Sequence, residues 1–294
     1  MSKAARIALS IFVCLLPLAS LAQSRIDCNA IASHILKETV HYCVMLPADY
    51  DSNKTTRYPV LYFLHGLGEN EQAMFKTGGW NLVQDLRRQQ KIGDFLIVTP
   101  DAKTSFYVNS ADGKVSYSDF FLREFVPFIE KAYRIKAARR SRGITGISMG
   151  GYGALRLAFS HPEIFSAVSA ESAALISASP AELNATMRSG SPLSGVLSAA
   201  FGNPIDAAHW RENDPLVLAQ KNKAVIRSLA IYFNCGRDDE FEFESGAEQL
   251  HRELDSEGIK HEYYLYPGDH SASYFLAHLG EIMEFHSKYF TPAK

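Results

Sequence analysis

The sequence predicts an α/β protein with a mostly parallel central sheet and helices on both faces. Apolar β-rich runs alternate with helix-period segments along the chain, an alternation that is typical of βαβ units. The runs VLYFL (60–64) and FLIV (95–98) are apolar throughout. Uninterrupted apolar runs indicate strands that are buried on both faces, as in parallel sheets.

Each element is predicted from its own pattern. Strands are expected over Val40–Leu46, Pro59–Leu64, Phe95–Thr99, Arg142–Ile147, Phe165–Ala170, Ala230–Asn234 and His261–Tyr266. Helices are expected over about Glu71–Gln89, Tyr117–Tyr133, Gly150–Phe159, Glu244–Glu257 and Ser271–Tyr289. The weaker pattern between 173 and 224, with its prolines and Gly-Ser pairs, predicts an insertion of short helices over one edge of the sheet.

The N-terminus has the pattern of a secretory signal peptide (residues 1–22). Lys3 and Arg6 precede an apolar run, and a small-x-small cleavage site ends at Ala22. A membrane anchor is the alternative, but the apolar run is shorter than the ~20 residues of a spanning helix. We therefore expect residues 23–294 to form a single α/β domain, secreted or periplasmic, with no stable membrane insertion after cleavage.

The overall charge excludes one class of partner. The chain has 30 Lys and Arg against 32 Asp and Glu, for a net charge of −2. Nucleic-acid binding proteins concentrate basic residues on one surface, and no such concentration is visible in the sequence. Small neutral or weakly polar partners fit this composition better.

Three cysteines remain once the signal segment is excluded. Cys28 and Cys43 could pair across an N-terminal hairpin and leave Cys235 free, or all three could be separate buried thiols. The spacings CxxC and HExxH do not occur. The sequence therefore predicts no metal site and no cofactor.

The segment GITGISMGGYGAL (143–155) contains five glycines around one serine. A serine in the pattern Gly146-x-Ser148-x-Gly150, between a predicted strand and a predicted helix, indicates a nucleophile elbow. The turn is so tight that side chains at the two flanking positions would clash. Nucleotide-binding loops do not fit, because a dinucleotide loop needs glycine at Arg156 and a P-loop needs lysine at Tyr152.

An elbow serine needs an acid and a histidine later in the chain, in that order. A predicted strand is followed by Gly236-Arg237-Asp238-Asp239, and the last predicted strand is followed by Gly268-Asp269-His270. The carboxyl ends of parallel strands share one edge of a sheet, so these groups are expected beside Ser148. We assign His270 as general base. The choice between Asp238 and Asp239 stays open on these grounds.

The oxyanion hole should combine the backbone N–H after the nucleophile with one from the loop after an earlier strand. Met149 follows the serine, and the loop His65-Gly66-Leu67-Gly68 follows the strand VLYFL. We therefore predict Leu67 and Met149 as the two donors. His65 is too early in the chain for the base, so we expect it to order its loop by hydrogen bonding.

Six segments together resemble the esterase D family of α/β hydrolases. They are HGLGEN (65–70), SFYVNS (105–110), DFFLREFVPFIEKAY (119–133), GISMGGYGALRLAFSHPEIF (146–165), CGRDDEF (235–241) and GDHS (268–271). The resemblance covers most of residues 40–290 and implies an α/β-hydrolase fold without a cofactor. It also implies Ser148 as nucleophile, His270 as base and Asp239 as acid, through the family's Gly-x-x-Asp motif.

The resemblance further places Tyr107 and Asn109 near the substrate. The alternative is a packed loop aromatic and a turn asparagine. The family includes S-formylglutathione hydrolases, tributyrin-type carboxylesterases, acetylxylan and feruloyl esterases, and mycolyltransferases. The signal segment favours a secreted serine carboxylesterase that acts on short acyl, acetyl or feruloyl esters, either small molecules or carbohydrate-linked. The alternatives are a mycolyltransferase-type acyltransferase, an S-formylglutathione hydrolase-like thioesterase, and a secreted binding protein on a hydrolase scaffold.

Overall fold

A computed structural model describes residues 24–188 and 194–290. Eight strands form one sheet in the order β1-β2-β4-β3-β5-β6-β7-β8. The strands are β1 (Arg25–Ala32), β2 (Thr39–Leu46), β3 (Val60–Leu64), β4 (Leu96–Pro100), β5 (Arg142–Gly146), β6 (Ala167–Glu171), β7 (Ala230–Gly236) and β8 (Glu262–Tyr266). The predicted signal segment, 1–22, lies outside the described residues.

The six strands β4, β3, β5, β6, β7 and β8, in sheet order, pair in parallel. At the other end of the sheet, β1 pairs antiparallel with β2, and β2 pairs antiparallel with β4. Twelve α-helices are described: α1 (Ala73–Lys76), α2 (Gly79–Arg88), α3 (Tyr117–Phe120), α4 (Val126–Ala132), α5 (Met149–Ser160), α6 (Pro180–Arg188), α7 (Ser194–Phe201), α8 (Ala207–Asn213), α9 (Pro215–Lys221), α10 (Lys223–Ile226), α11 (Phe243–Ser256) and α12 (Ala272–Phe290). The mostly parallel sheet and its helices confirm the predicted fold class.

Side chains from β3 enter both faces of the sheet. Tyr62 and Leu64 join one buried apolar cluster, and Leu61 and Phe63 join another. Successive residues of a strand point to opposite faces of the sheet. Because both faces of β3 are buried, an apolar residue is needed at every position. This burial on both sides explains the uninterrupted VLYFL run.

Two predicted helices are divided in the structure. The helix predicted over Glu71–Gln89 is interrupted at Gly78, whose φ of 84° is left-handed. The helix predicted over Tyr117–Tyr133 contains a π-helical turn at Phe121–Phe125. Pro127 lies at the start of α4 and has no N–H to donate to the preceding turn, so a local change in hydrogen bonding accommodates it.

The predicted insertion between 173 and 224 is a set of short helices, from α6 to α10. Asp206 caps α8 by accepting hydrogen bonds from two backbone N–H groups, and Asp214 caps α9 in the same way from Leu216. These capping aspartates help to explain why α8 and α9 are helical although each is only seven residues long. Among the described residues, no helix is both long and apolar enough to cross a membrane.

The N-terminal strand β1 was not predicted as a strand. It pairs with β2 over its whole length, and Cys28 lies directly opposite Cys43. These two cysteines form a disulfide, and Cys235 is free and buried. The structure therefore selects the first of the two cysteine alternatives.

Candidate active site

The predicted site residues all follow strands at the carboxyl edge of the sheet. Leu67 follows β3, Ser148 follows β5, Asp239 follows β7 and His270 follows β8. These four strands belong to the parallel part of the sheet. Their carboxyl ends therefore open on the same side of the molecule.

Ser148 has a strained backbone conformation. Its φ of 55° and ψ of −118° lie outside the regions that non-glycine residues favour. A Cβ on Gly146 would lie 2.3 Å from the Gly150 carbonyl carbon, and one on Gly150 would lie 1.9 Å from the Leu64 carbonyl oxygen. Only glycine fits at either position, which agrees with the predicted elbow.

His270 and Asp239 form a close pair. His270 Nδ1 lies 2.7 Å from Asp239 Oδ2, and the Asp239 side chain has no exposed surface. The other carboxylate oxygen accepts a hydrogen bond of 3.0 Å from the backbone N–H of Phe241. Asp238 is exposed, and no side-chain hydrogen bond links it to another described residue. The geometry therefore favours Asp239 over Asp238 as the partner of the imidazole.

Among the described residues, Ser148 Oγ and the His270 imidazole do not form a hydrogen bond. The backbone of Ser148 is fixed by a hydrogen bond from its N–H to the carbonyl of Glu171 (2.9 Å) and by one from Ala174 to its own carbonyl (3.0 Å). Catalytic hydrogen bonds are often long in unliganded sites and shorten when substrate binds.

Aromatic rings surround His270 on several sides. Phe241, Phe243 and Phe275 contact the imidazole edge to face, with ring centroids 5.0, 5.4 and 5.1 Å away. The carboxylate of Glu240 accepts a 3.0 Å hydrogen bond from the backbone N–H of His270. These neighbours of His270 were not predicted from the sequence. Glu240, Phe241 and Phe243 follow the predicted acid within four residues, and this proximity in the chain could have marked them as candidate contacts of the acid and its histidine.

The loop predicted to supply an oxyanion donor is close to Ser148. A Cβ on Gly66 would lie 3.7 Å from Ser148 Cβ. His65 is fully buried, with Nδ1 2.8 Å from the Gly66 carbonyl and Nε2 accepting 2.9 Å from Ala102 N–H. These two contacts agree with the loop-ordering role expected of His65. Among the described residues, the backbone N–H groups of Leu67 and Met149 donate no hydrogen bond to a loop or side-chain acceptor.

Tyr107 and Asn109 form hydrogen bonds with backbone groups of neighbouring segments. Tyr107 has no exposed surface, and its hydroxyl donates to the His65 carbonyl at 3.0 Å. Asn109 Oδ1 accepts from the backbone N–H of Asp119 at 3.1 Å. A fully buried ring cannot line an open pocket, so the structure favours the packed alternative for Tyr107 and gives Asn109 a local structural bond.

A buried acid lies behind the elbow and was not expected from the sequence. Glu171 ends β6, is fully buried, and both of its carboxylate oxygens lack a hydrogen-bond partner among the described residues. Burial raises the pKa of Glu171 well above its usual range, with a smaller contribution from Glu281. Burial therefore favours the neutral form of this carboxyl group, because an ionised one would be an unpaired buried charge beside the nucleophile.

Sheet order, elbow and acid–imidazole pair together define the α/β-hydrolase class of fold. The chain belongs to the Esterase family, whose profile matches residues 33–286. This family confirms the resemblance seen in the sequence.

Individual relatives agree with the family. The chain is 28% identical over 263 residues to an acetyl esterase of Caldicellulosiruptor saccharolyticus, covering 87% of this chain and 96% of that protein. It is 28% identical over 245 residues to an esterase of Mycobacterium tuberculosis, covering 77% of this chain but about half of that protein, 51%. Among solved structures, a ferulic acid esterase superposes with a TM-score of 0.78 at 27% identity, covering 92% of this chain and 99% of that one.

Proposed function

We propose that this protein is a secreted or periplasmic serine esterase that hydrolyses carboxylic esters through Ser148, His270 and Asp239. The observation that carries the proposal is the 2.7 Å pair of His270 Nδ1 and buried Asp239 at the carboxyl edge where the strained Ser148 elbow also lies. A carboxylate on Nδ1 holds the tautomer whose Nε2 can accept a proton. A histidine prepared in this way is suited to activate a serine hydroxyl.

The chemistry follows from these positions. Ser148 Oγ attacks the ester carbonyl carbon while its proton passes to His270 Nε2, and the N–H groups of Leu67 and Met149 bind the resulting oxyanion. The carbon–oxygen bond to the alcohol then breaks, and the imidazolium returns the proton to the departing alcohol. Water, deprotonated by His270, attacks the acyl-serine and releases the acid and the free enzyme.

The substrate class is proposed from the surroundings of His270. Phe241 is 44% exposed and lies with its centroid 5.0 Å from the imidazole, so it offers apolar surface beside the reacting bond. An aromatic face can pack against a phenolic acyl group or a sugar ring. Together with the acetyl esterase and ferulic acid esterase relatives, this supports acetyl or feruloyl esters, including carbohydrate-linked ones, as substrates.

The proposed location has independent support in the structure. Disulfides persist in secreted and periplasmic proteins and are rare in reducing compartments. The Cys28–Cys43 disulfide fits the first environment. The signal segment predicted over 1–22 points to the same compartment.

A substrate panel with a matched variant tests the function. The purified protein is assayed on p-nitrophenyl acetate, p-nitrophenyl butyrate, methyl ferulate, acetylated xylan and S-formylglutathione, beside Ser148→Ala. We expect ester cleavage that falls at least about 10³-fold in Ser148→Ala, because the covalent intermediate is lost. Equal activity in the variant would reject Ser148 as nucleophile.

The panel also separates the alternatives. A preference for methyl ferulate or acetylated xylan over simple short esters would establish a polysaccharide-deacylating esterase. A preference for S-formylglutathione would instead indicate the thioesterase. An acyl-enzyme that forms but turns over only when an acceptor alcohol is added would indicate the acyltransferase.

A further inference from the structure

Two histidines and one aspartate meet at the amino edge of the sheet, away from the candidate active site. His251 and Asp255 lie on α11 four residues apart, so they share one helix face. Gly258, with a left-handed φ of 60°, turns the chain back, and His261 directly precedes β8. The three side chains therefore join the end of α11 to the start of β8.

The ligand atoms of these side chains form a compact group. One from each residue can be chosen so that all lie within 4.8 Å of one another. His251 Nδ1 is 2.7 Å from His261 Nε2, and the Asp255 carboxylate is 3.6 Å from His251 Nε2 and 4.0 Å from His261 Nε2. Two ligands on a tetrahedral zinc ion with bonds of 2.0–2.1 Å lie about 3.3 Å apart. His251 meets His261 through Nδ1 and Asp255 through Nε2, so one ion held by His251 Nδ1 and His261 Nε2 requires the exposed Asp255 carboxylate to rotate toward it.

The tautomer of His261 suits metal binding. Its Nδ1 is 2.8 Å from the carbonyl oxygen of Ile259, and a carbonyl only accepts, so Nδ1 carries the proton. Nε2 is then left with its lone pair toward His251. A histidine that donates one ring N–H to a carbonyl and presents the other nitrogen is the usual arrangement of a metal-binding imidazole.

Neighbouring aromatic rings fix the two imidazoles. His261 stacks on Phe233 with an angle of 13° between the rings, and His251 stacks on Tyr263 with an angle of 27°. The His261 side chain is 4% exposed, whereas that of Asp255 is 67% exposed. One ligand is thus held rigidly, while the exposed side of the group is open to an ion from solvent and to a water ligand.

We propose that His251, Asp255 and His261 bind one first-row divalent transition-metal ion, with Zn²⁺ as the probe. Imidazole nitrogen with a single carboxylate suits zinc, cobalt or nickel, whereas calcium and magnesium require more oxygen ligands. The ion would displace the proton between His251 and His261 and link α11 to β8. α11 follows the loop that carries Asp239, and β8 precedes the loop that carries His270, so the ion would stabilise the two elements that hold the proposed acid and base without contacting either residue.

Zinc titration of the metal-stripped, tag-free protein tests this site. We expect calorimetry to give one Zn²⁺ per chain at micromolar concentration, and Co²⁺ to give visible absorption bands of a nitrogen-ligated site. Ligands that bind only the folded state raise its melting temperature. A hundredfold excess over the dissociation constant should raise it by roughly 5–11 °C for a domain of this size.

Variants separate this site from other histidines. His251→Gln and Asp255→Asn change half-exposed or exposed side chains on α11 and should abolish or weaken binding at least about tenfold. His161→Gln is the matched control, because His161 is also close to a carboxylate, Glu163, at 3.2 Å, and it should bind as wild type does. His270→Gln should also retain the ion, which would exclude zinc bound at the catalytic pair. Absence of binding in the wild type, or equal binding in His251→Gln, would overturn the proposal and leave a hydrogen-bonded histidine pair.

Discussion

At the scale of single residues, the strain at Ser148 is maintained by glycines around it. Gly150 brings the start of α5 against the Leu64 carbonyl, where a Cβ would be 1.9 Å away. That contact cannot be relieved by rotating a side chain, because the opposing atom is backbone. The elbow therefore depends on residues that perform no chemistry themselves.

A substitution at Gly150 tests this dependence. We expect Gly150→Ala to lower the free energy of unfolding by more than about 3 kcal/mol or to prevent folding, since backbone must move. Gly280 in α12 is the matched control, because a Cβ there meets nothing within 4 Å. Gly280→Ala should stabilise the helix by about 0.5–1 kcal/mol. Denaturant unfolding of both variants measures the difference, and equal stability would contradict the described elbow.

The two neighbouring aspartates give a second residue-scale prediction. Asp239→Asn should reduce kcat by about 10⁴-fold, because an amide holds the wrong tautomer of His270. Asp238→Asn, at an exposed position, should stay within about twofold of wild type. Steady-state assays on p-nitrophenyl acetate measure both, and circular dichroism controls for folding. A larger loss in Asp238→Asn would reverse the assignment.

The sequence alone predicted less at this scale than at the others. Chain order and strand ends were sufficient to propose Ser148 and His270. The choice of Asp239 rested on a motif, because adjacent residues follow the same strand and only the folded loop determines which one turns inward. Phe241 and Phe243 lie close to the acid in the sequence, but their contacts with His270 join the segment after β7 to the loop after β8 and depend on the folded chain.

At the scale of elements, α12 packs a buried histidine under the sheet. His286 has no exposed surface, and its Nε2 lies 2.9 Å from Ser169 Oγ on β6. Burial lowers the pKa of His286 to about 3. The imidazole is therefore neutral in the folded protein at pH 7.

This histidine predicts acid sensitivity. Its folded pKa is below the value of about 6.5 in unfolded chains, so its contribution is complete above about pH 6.5 and is lost as pH falls toward 3. The slope is up to about 1.4 kcal/mol per pH unit. Unfolding free energies of wild type and His286→Gln at pH 7 and pH 5 should differ in their pH dependence. His34→Gln, at an exposed position, should keep the wild-type slope, and parallel curves for all three proteins would contradict the prediction.

Element types were predicted well from periodicity, but element interruptions were not. The segment from Tyr117 to Tyr133 has one apolar face, which favours a single helix. The π-helical turn at Phe121–Phe125 depends on how Pro127 and the large rings pack against β2 and β3. Tyr42 and Tyr62 both contact Phe125, and such tertiary contacts cannot be read from the local pattern.

At the scale of the whole molecule, the sheet ends at one side in the β1–β2 pair, which the disulfide closes. Cys28 and Cys43 are 15 residues apart. The disulfide restricts the conformations that the unfolded chain can adopt. In the folded protein it links the outermost strand, β1, covalently to β2. The strand itself was difficult to predict because RIDCNAIA alternates polar and apolar residues over its first six positions only and then ends in the apolar run AIA.

Removal of the disulfide should lower the stability of the whole domain. For a loop of this length the chain-entropy estimate is about 3 kcal/mol, which corresponds to a decrease of roughly 6–12 °C in melting temperature. The double variant Cys28→Ser/Cys43→Ser measures this by calorimetry. Cys235→Ser is the control for the free thiol, although it is buried beside Asp239. An unchanged melting temperature in the double variant would contradict the prediction.

Along the chain, the helices from α6 to α10 connect the end of β6 to the start of β7. Because these strands already pair with each other, the sheet does not need the insertion to close. A segment attached at two neighbouring points leaves the strand register unchanged when its exposed residues are altered. Phe201, Trp210 and Ala219 of this block are buried in the main core, so only its exposed face can be changed without repacking the molecule.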